Sequence, residues 1–414
     1  MTWTEHAIWW HSYPFGMCGA PIREPDTTPG PRLRRMLGWL DYVIELGCSG
    51  LLLGPIFASQ SHGYDSLDLF RIDPRLGDEG DFTELVSQCR ERGLRILLDG
   101  VFSHVGDNYP DVRRALAEGS ESPAGRLFDI DWHHPDGPRP RVFEGHSSLV
   151  RLNHSAQETV DFVARVMSHW LDRGIDGWRL DAAYSVSPTF WAAVVEKVRP
   201  RYPKAWLLGE VLHGDYSVFV AESGIDSVTQ YELWKAIWSS INDRNLFELD
   251  HALNRHNGFL SSFIPNTFIG NHDVTRIASK VGADGAVTAL AILMTVAGIP
   301  SIYYGDEQAF TGIKEERLGG DDAIRPALPE SPTELAPWGQ PVLRAHQDLI
   351  GLRRRHPWLV SSRTETIHLE NQRIIYRSSA KDGSAHLDTE IDLSNSPSAT
   401  IRDAAGQELW RQQS

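Results

Sequence analysis

The strongest constraint on this fold is a rhythm. Short apolar runs alternate with segments whose apolar residues recur every three to four positions, from residue 7 to residue 357. The runs are 7–13 (AIWWHSY), 49–55 (SGLLLGP), 94–102 (LRILLDGVF), 175–181 (IDGWRLD), 205–211 (AWLLGEV), a weaker one near 225–231 (IDSVTQY), 266–273 (NTFIGNHD) and 300–307 (PSIYYGDE). Helical spacing predicts helices over 32–47, closed by Gly47, and over 81–93, 157–174 and 188–200. Further helices are predicted in the stretch reaching about His256, over 286–298 and over 341–357. Eight strands alternating with helices predict an α/β fold, a parallel (β/α)8 TIM barrel rather than an open sheet.

Two segments break the rhythm. Residues 104–151 lose periodicity and are rich in Pro, Gly, His and Asp. A structureless loop of that length does not suit a compact domain, so a small inserted domain after the third strand is expected. After Trp358, polar and apolar residues alternate in RIIYRSSA, SAHLDTEIDLS and ATIRDAAG, which predicts a small C-terminal antiparallel β domain. The expected division is 1–103 and 152–358 for the barrel, 104–151 for the insertion and 359–414 for the C-terminal domain.

Charge narrows the partners. Asp and Glu number 55 against 40 Lys and Arg, a formal net charge of −15. Nucleic acid and anionic membranes both require a basic surface, so neither is expected as a partner. A neutral small ligand or polymer fits better. The three cysteines, Cys18, Cys48 and Cys89, are scattered without a CxxC pair. They read as buried free thiols in a reducing compartment, not as disulfides or a zinc site. The N-terminus lacks the basic leader and long apolar stretch of a signal peptide, and no apolar run is read as membrane-spanning. The expectation is a soluble cytoplasmic protein; its oligomeric state is left open.

In a parallel barrel the reactive groups stand at the C-terminal ends of the strands. The second strand leads to SHGYD, with His62 and Tyr64; the third ends at Asp99, with His104 just beyond. The fourth ends in Arg179 and Asp181, which share one face, the fifth in Glu210, and the seventh in His272 and Asp273. One buried Asp at a strand end is commonly structural. Several carboxylates with an arginine at one barrel mouth repel one another and persist mainly where chemistry uses them.

These residues resemble a known family. DGVFSH (99–104), GWRLDAAY (177–184), GEV (209–211) and GNHDVTR (270–276), in that order, look like the four conserved regions of the α-amylase superfamily of retaining α-glycosidases. HGYD (62–65), YYGDE (303–307) and LVRLN (149–153) match its flanking motifs. The resemblance covers roughly residues 7–310 and is nearer to short intracellular enzymes acting on maltooligosaccharides, cyclodextrins or related glucosides than to secreted amylases.

It implies Asp181 as the nucleophile, held ionised by Arg179, with Glu210 as general acid and base and Asp273 stabilising the oxocarbenium-like transition state. Tyr64 would stack under the sugar, and His104 and His272 would bind its hydroxyls; His62 and Arg276 are further substrate contacts, and Asp99 orients Arg179. A nucleophile and acid about 5–5.5 Å apart give a covalent glycosyl-enzyme and net retention. The alternative on the same residues is a transglycosylase, glucanotransferase or glucoside isomerase. A catalytically dead binding member would have lost an acid, and all three are present. A metal-dependent barrel hydrolase would want an HxH pair at a strand end, and none is found. No phosphate-binding glycine loop follows the first strand, so no cofactor is expected. Ser103 and the AAY stretch (182–184) stand where calcium-binding relatives carry ligands, so no metal is expected either. Ser61 stands where exo-acting members carry an aspartate that pairs with the arginine matching Arg276, which predicts a site less closed behind the first sugar.

Overall fold

A computed structural model describes residues 3–22 and 28–413. All eight runs form strands, each parallel to its neighbours: β1 (Trp9–Ser12), β2 (Gly50–Leu53), β3 (Arg95–Gly100), β4 (Gly177–Leu180), β5 (Trp206–Gly209), β6 (Ser227–Val228), β7 (Asn266–Phe268) and β8 (Ile299–Tyr303). Their order in space is β6-β5-β4-β3-β2-β1-β8-β7, and a parallel bridge between Thr229 and Asn266 closes the ring. β2, β4 and β5 are buried along their whole length, as expected of strands with side chains inside and helices outside.

The outer layer is α1 (Leu40–Leu46), α2 (Glu79–Glu91), α3 (Gln157–Asp172), α4 (Pro188–Val198), α5 (Tyr216–Ser223), α6 (Tyr231–Asp243), α7 (Leu246–Phe259), α8 (Ile277–Thr295) and α9 (Gln340–Arg355). Local chemistry sets their ends. Asp78 caps α2 by accepting the N–H groups of Gly80 and Asp81, while Asp81 reaches back to the Asp78 N–H. Gly47 ends α1 at φ 96°, a conformation only glycine adopts without strain.

Inside the lower end of the barrel, Trp9, Leu52, Leu97, Trp206, Leu208 and Ile299 form an apolar plug. The Trp9 and Trp206 rings stack 5.8 Å apart. Gly177 is required beside them, since a Cβ there would lie 2.0 Å from the Trp206 carbonyl oxygen.

Four expectations need correction. The 32–47 segment is a 3₁₀ helix over Arg32–Trp39 before it becomes α1. Its buried residues, Leu33, Met36 and Trp39, recur every third position, which is the 3₁₀ period. The helix read over 286–298 begins earlier, at Ile277, with a break at Gly282 (φ 74°). This 19-residue helix, mean hydropathy 1.5, is long and apolar enough to cross a membrane, contrary to the sequence reading. Two-thirds of it is buried inside the protein, where it packs on α6 and α9. Finally, the C-terminal sheet has five antiparallel strands rather than three: β9 (Arg363–Leu369), β10 (Arg373–Ser379), β11 (His386–Asp392), β12 (Ser398–Asp403) and β13 (Glu408–Arg411). Burial alternates strictly along β10 and β11, which made them legible, but not along β9 or β13.

Segment 104–151 leaves the barrel after β3. It holds an antiparallel sheet of His104–Gly106, His146–Arg151 and Val142–Phe143, a second small hairpin, and helices Pro110–Glu118 and Pro123–Leu127. Its hairpin stands over the C-terminal end of the barrel, and Phe143 packs on His104.

Candidate active site

The register of β3 against β4 sets Asp99 directly beside Arg179. Arg179 therefore points Nη1 at both Asp99 oxygens, 2.6 Å from each. The same guanidinium lies 3.2 Å from Asp181 Oδ1, 2.7 Å from Glu210 Oε1 and 3.9 Å from Asp273 Oδ2. One cation, almost wholly buried, thus faces four carboxylates from four segments. Burial opposes its charge, but Asp99 and Glu210 outweigh that and push the guanidinium further up.

The carboxylates respond to the crowding. Burial pushes Asp99 up to about 6 against the pull of Arg179. Burial, and next the charge of Glu210, push Asp181 well above the ordinary carboxylate range. Arg179 pulls Asp181 down, as expected, but burial and Glu210 outweigh it; the shortest contacts of Arg179 are to Asp99 and Glu210. Glu210 meanwhile accepts from the Ala182 N–H (2.9 Å) and the Tyr231 hydroxyl (3.2 Å). Ala182, the residue after Asp181, has φ 44°, a strained conformation for a non-glycine residue that aims its N–H at Glu210.

Asp273 is the most exposed of the acids, its side chain 32% accessible. Asn271 fixes its loop by accepting the Asp273 N–H (2.9 Å) while donating to Tyr231 (2.9 Å). Arg325 is a second cation at the site: its Nη2 lies 2.9 Å from Asp273 Oδ1 and 3.1 Å from Asp321, and its Nε donates to the His272 carbonyl. Sequence reasoning missed Arg325, Tyr231 and Asn271. Asn271 lay inside a quoted motif, whereas Arg325 sits in an irregular stretch after β8, where only its four-residue spacing from Asp321 hinted at a pair.

The expected substrate contacts separate into two groups. Tyr64 reaches the site, donating to Asp99 Oδ2 (3.1 Å), with its ring parallel to His272 and its hydroxyl against His272 Nε2. His272 is fully buried, 3.0 Å from Asp273 Oδ2 through Nε2 and paired with His11 through Nδ1. Burial, then Arg179, lower its pKa, so it is neutral. His104 borders the cavity, but Ser103 Oγ and the Tyr64 carbonyl occupy both its ring nitrogens, leaving none for a sugar hydroxyl. His62 lies outside the cavity: its carbonyl accepts from Tyr13 and its Nδ1 from the Tyr64 N–H, which makes it a loop-building residue.

Arg276 does not reach the cavity either. It is fully buried, with Nη1 on Asp306 and the Tyr304 carbonyl, Nη2 on the Ile324 carbonyl, and its guanidinium over the Tyr303 ring. It anchors the segment that carries Arg325. The Ser61 N–H and hydroxyl bond Asp65, and its carbonyl accepts from Arg75 Nη1 (2.6 Å), whereas Arg276 is held elsewhere.

A cavity of about 620 Å³ joins Asp181, Glu210 and Asp273 with Tyr64, Tyr184, Tyr231, Trp234 and the hairpin residues Phe143 and Glu144. A hollow of about 880 Å³ lies at the other end of the barrel, beside Trp3, Tyr202 and Trp206. Of its three acids, Glu5, Asp176 and Asp226, the last two are each engaged by an arginine and none stands at a strand's C-terminal end, so the reactive grouping belongs to the first cavity. Among the described residues no group of three or more His, Cys, Asp or Glu could hold a metal ion.

Comparisons with known proteins agree with this geometry. Residues 33–378 match the alpha-amylase catalytic-domain family model. A cyclomaltodextrinase from Geobacillus thermopakistaniensis is 31% identical over 337 residues, 75% of this chain and 57% of the relative. Neopullulanase 2 from Thermoactinomyces vulgaris is 28% identical over 401 residues, 90% of this chain and 67% of the relative. The chain thus spans between about half and two-thirds of the length of these curated relatives. A solved structure of the cyclic α-maltosyl-(1→6)-maltose hydrolase from Arthrobacter globiformis shares the fold at a TM-score of 0.81 and 24% identity, covering 99% of this chain and 95% of that one. The ordered motifs at the barrel mouth and the match over most of the chain lead to one assignment: this chain belongs to the alpha-amylase family.

Proposed function

We propose that the protein is a retaining α-glycoside hydrolase acting on α-glucans, maltooligosaccharides or related short α-glucosides. The observation that carries this is the convergence of Asp181, Glu210 and Asp273 on one cavity around a single buried arginine. The substrate class is supported by the relatives named cyclomaltodextrinase, neopullulanase and maltogenic alpha-amylase.

Asp181 attacks the anomeric carbon as a carboxylate, and the bond to the leaving oxygen breaks. Glu210 gives that oxygen its proton. In the ligand-free site burial favours a proton on Asp181, while Glu210 accepts from Ala182, Tyr231 and Arg179. The reactive form has the carboxylate on Asp181 and the proton on Glu210. In the second half, Glu210 takes a proton from water, the hydroxide oxygen bonds the anomeric carbon, and Asp181 departs with net retention. Asp273, held by Arg325, binds the sugar hydroxyls, and Tyr64 forms the floor beneath the ring.

A sugar hydroxyl replacing water gives transglycosylation. The aromatic wall of Tyr184, Tyr231 and Trp234 supports some transfer beside hydrolysis. We also treat 1–103 with 152–358 as barrel, 104–151 as an inserted domain and 359–414 as the C-terminal domain. A cytoplasmic setting is supported by the free, buried cysteines and by a relative named intracellular maltogenic amylase from Bacillus subtilis.

The test is product analysis on maltooligosaccharides, cyclodextrins, isomaltose, trehalose and sucrose, with the anomeric form followed by NMR. Products released first as the α-anomer from the maltooligosaccharides or cyclodextrins are expected. First-formed β-anomers, or no turnover of any of these, would overturn the reading.

A further inference from the structure

The inserted hairpin reaches across the cleft. Phe143 pairs with His146, so Glu144 and Gly145 form a two-residue turn. Both have positive φ, 47° and 83°, the type I′ geometry that prefers Asn, Asp or Gly at its first position. Glutamate is a poor backbone choice there. Its side chain does something a turn residue would not: the carboxylate accepts a 2.8 Å hydrogen bond from the Tyr184 hydroxyl. Phe143 holds the hairpin down on His104, ring centroids 4.4 Å apart. Phe143, Glu144 and Tyr184 all line the cavity, and the mechanism above gives no role to Phe143 or Glu144 and names Tyr184 only as part of the aromatic wall.

Their place identifies what they face. Tyr184 lies three residues beyond Asp181 and its N–H donates to the Glu210 carbonyl. Its ring sits 6.0 Å from that of His213, three residues beyond Glu210. The wall next to the proton donor is the wall that meets the departing sugar and the acceptor that follows it.

We propose that the Glu144–Tyr184 bridge is a specificity determinant on the leaving-group side, fixing the Tyr184 ring as a platform for the departing or accepting sugar. This rests on the glycosidase reading. The bridge ties the inserted segment to the barrel at that platform and so selects glucan chains over substrates whose leaving group is not a sugar.

The test uses Tyr184→Phe, which keeps the ring and loses the bridge, and Glu144→Asn, which suits the turn but is one methylene too short. Glu144→Gln serves as the rescue, because its amide oxygen still accepts. Maltotriose carries a sugar leaving group; α-maltosyl fluoride does not. Y184F and E144N are expected to raise KM for maltotriose about tenfold, the worth of one hydrogen bond to a charged group. They should also lower the ratio of transfer to hydrolysis products. Fluoride release should change less than about twofold, with E144Q near wild type on both substrates. E144N should melt no lower than wild type, which separates folding from function. Variants that treat maltotriose as wild type does, or that lose equally on both substrates, would overturn the bridge's role while leaving the glycosidase reading intact. A wild-type protein inactive on both would refute that reading and the bridge's role with it.

Discussion

The two ends of the barrel are built from the same strands, often two residues apart on one face. Trp9 precedes His11, Leu97 precedes Asp99, and Leu208 precedes Glu210. The lower set is an apolar plug around the stacked pair Trp9 and Trp206. The upper set is a knot of acids, two arginines and neutral histidines, in which burial pushes Asp99 and Asp181 up and His272 down. One end of each strand is packed for stability; the other gathers the buried charge on which the proposed chemistry rests.

The sharpest way to separate the two ends is to mutate one residue in each. Asp181→Asn should lower turnover of maltooligosaccharides on the order of 10⁴-fold or more, as loss of a covalent nucleophile does. Its melting temperature should hold or rise, because a group whose ionised form burial penalises becomes a permanently neutral amide. Activity within tenfold of wild type would break the assignment. Trp206→Ala should do the reverse. Removing a buried, stacked indole should cost about 3–5 kcal/mol in denaturant unfolding, with the specific activity of the folded fraction unchanged. A loss of activity without a loss of stability would mean that the lower end takes part in the chemistry.

Arg325 tests whether the second cation belongs to the chemistry. Arg325→Gln should lower kcat/KM by about 10²-fold, since Asp273 loses a charged hydrogen-bond partner. Arg325→Lys should recover part of that, keeping the charge but not the fork that also holds the His272 carbonyl. An unaffected kcat/KM in R325Q would reduce Arg325 to a loop anchor.

How much of this was legible in the sequence follows from range. Strand periodicity is local, so all eight barrel strands could be read, as could the acids at their C-terminal ends. The 3₁₀ run at Arg32–Trp39 was misread because its buried stripe also satisfies a helical pattern over so few turns. β9 and β13 were missed because neither alternates cleanly. Arg325, Tyr231 and Glu144 are brought to the site by partners 21 to 52 residues away. His62, His104 and Arg276 show the converse: named as substrate contacts on motif position, they are placed by the structure against protein partners. They lie in the right motifs, yet neighbouring groups engage both ring nitrogens of His104, the Arg276 guanidinium and Nδ1 of His62.

Smaller effects sharpen the picture of charge at the upper end. Glu307, just beyond β8, is wholly buried and pushed up to about 7, chiefly by burial. It accepts from Tyr42 and from the Gly305 N–H. A raised carboxyl contributes stability that is fully present below about 4.5 and lost as pH rises through about 7. The loss amounts to at most about 3 kcal/mol. Melting temperature should therefore fall between pH 5 and pH 7.5, and Glu307→Gln should flatten that fall. An equally steep fall in the variant would place the titration elsewhere. The smallest effect concerns metal. Ser103 Oγ is engaged by His104, and excess EDTA should leave activity unchanged and shift melting by less than the few degrees that about 1 kcal/mol produces. A larger drop, reversed by calcium, would contradict this.

The ring of strands is not equally tight all round. β6 has only two residues, held to β5 by Leu208–Ser227 and Gly209–Val228 pairing, and the single Thr229–Asn266 bridge joins it to β7. That seam has the fewest backbone pairs in the ring, so its amides are expected to exchange with solvent deuterium ahead of those in β1 to β4. Tyr231 follows immediately and donates to Glu210, so an opening of the seam would also loosen the hold on the proposed proton donor.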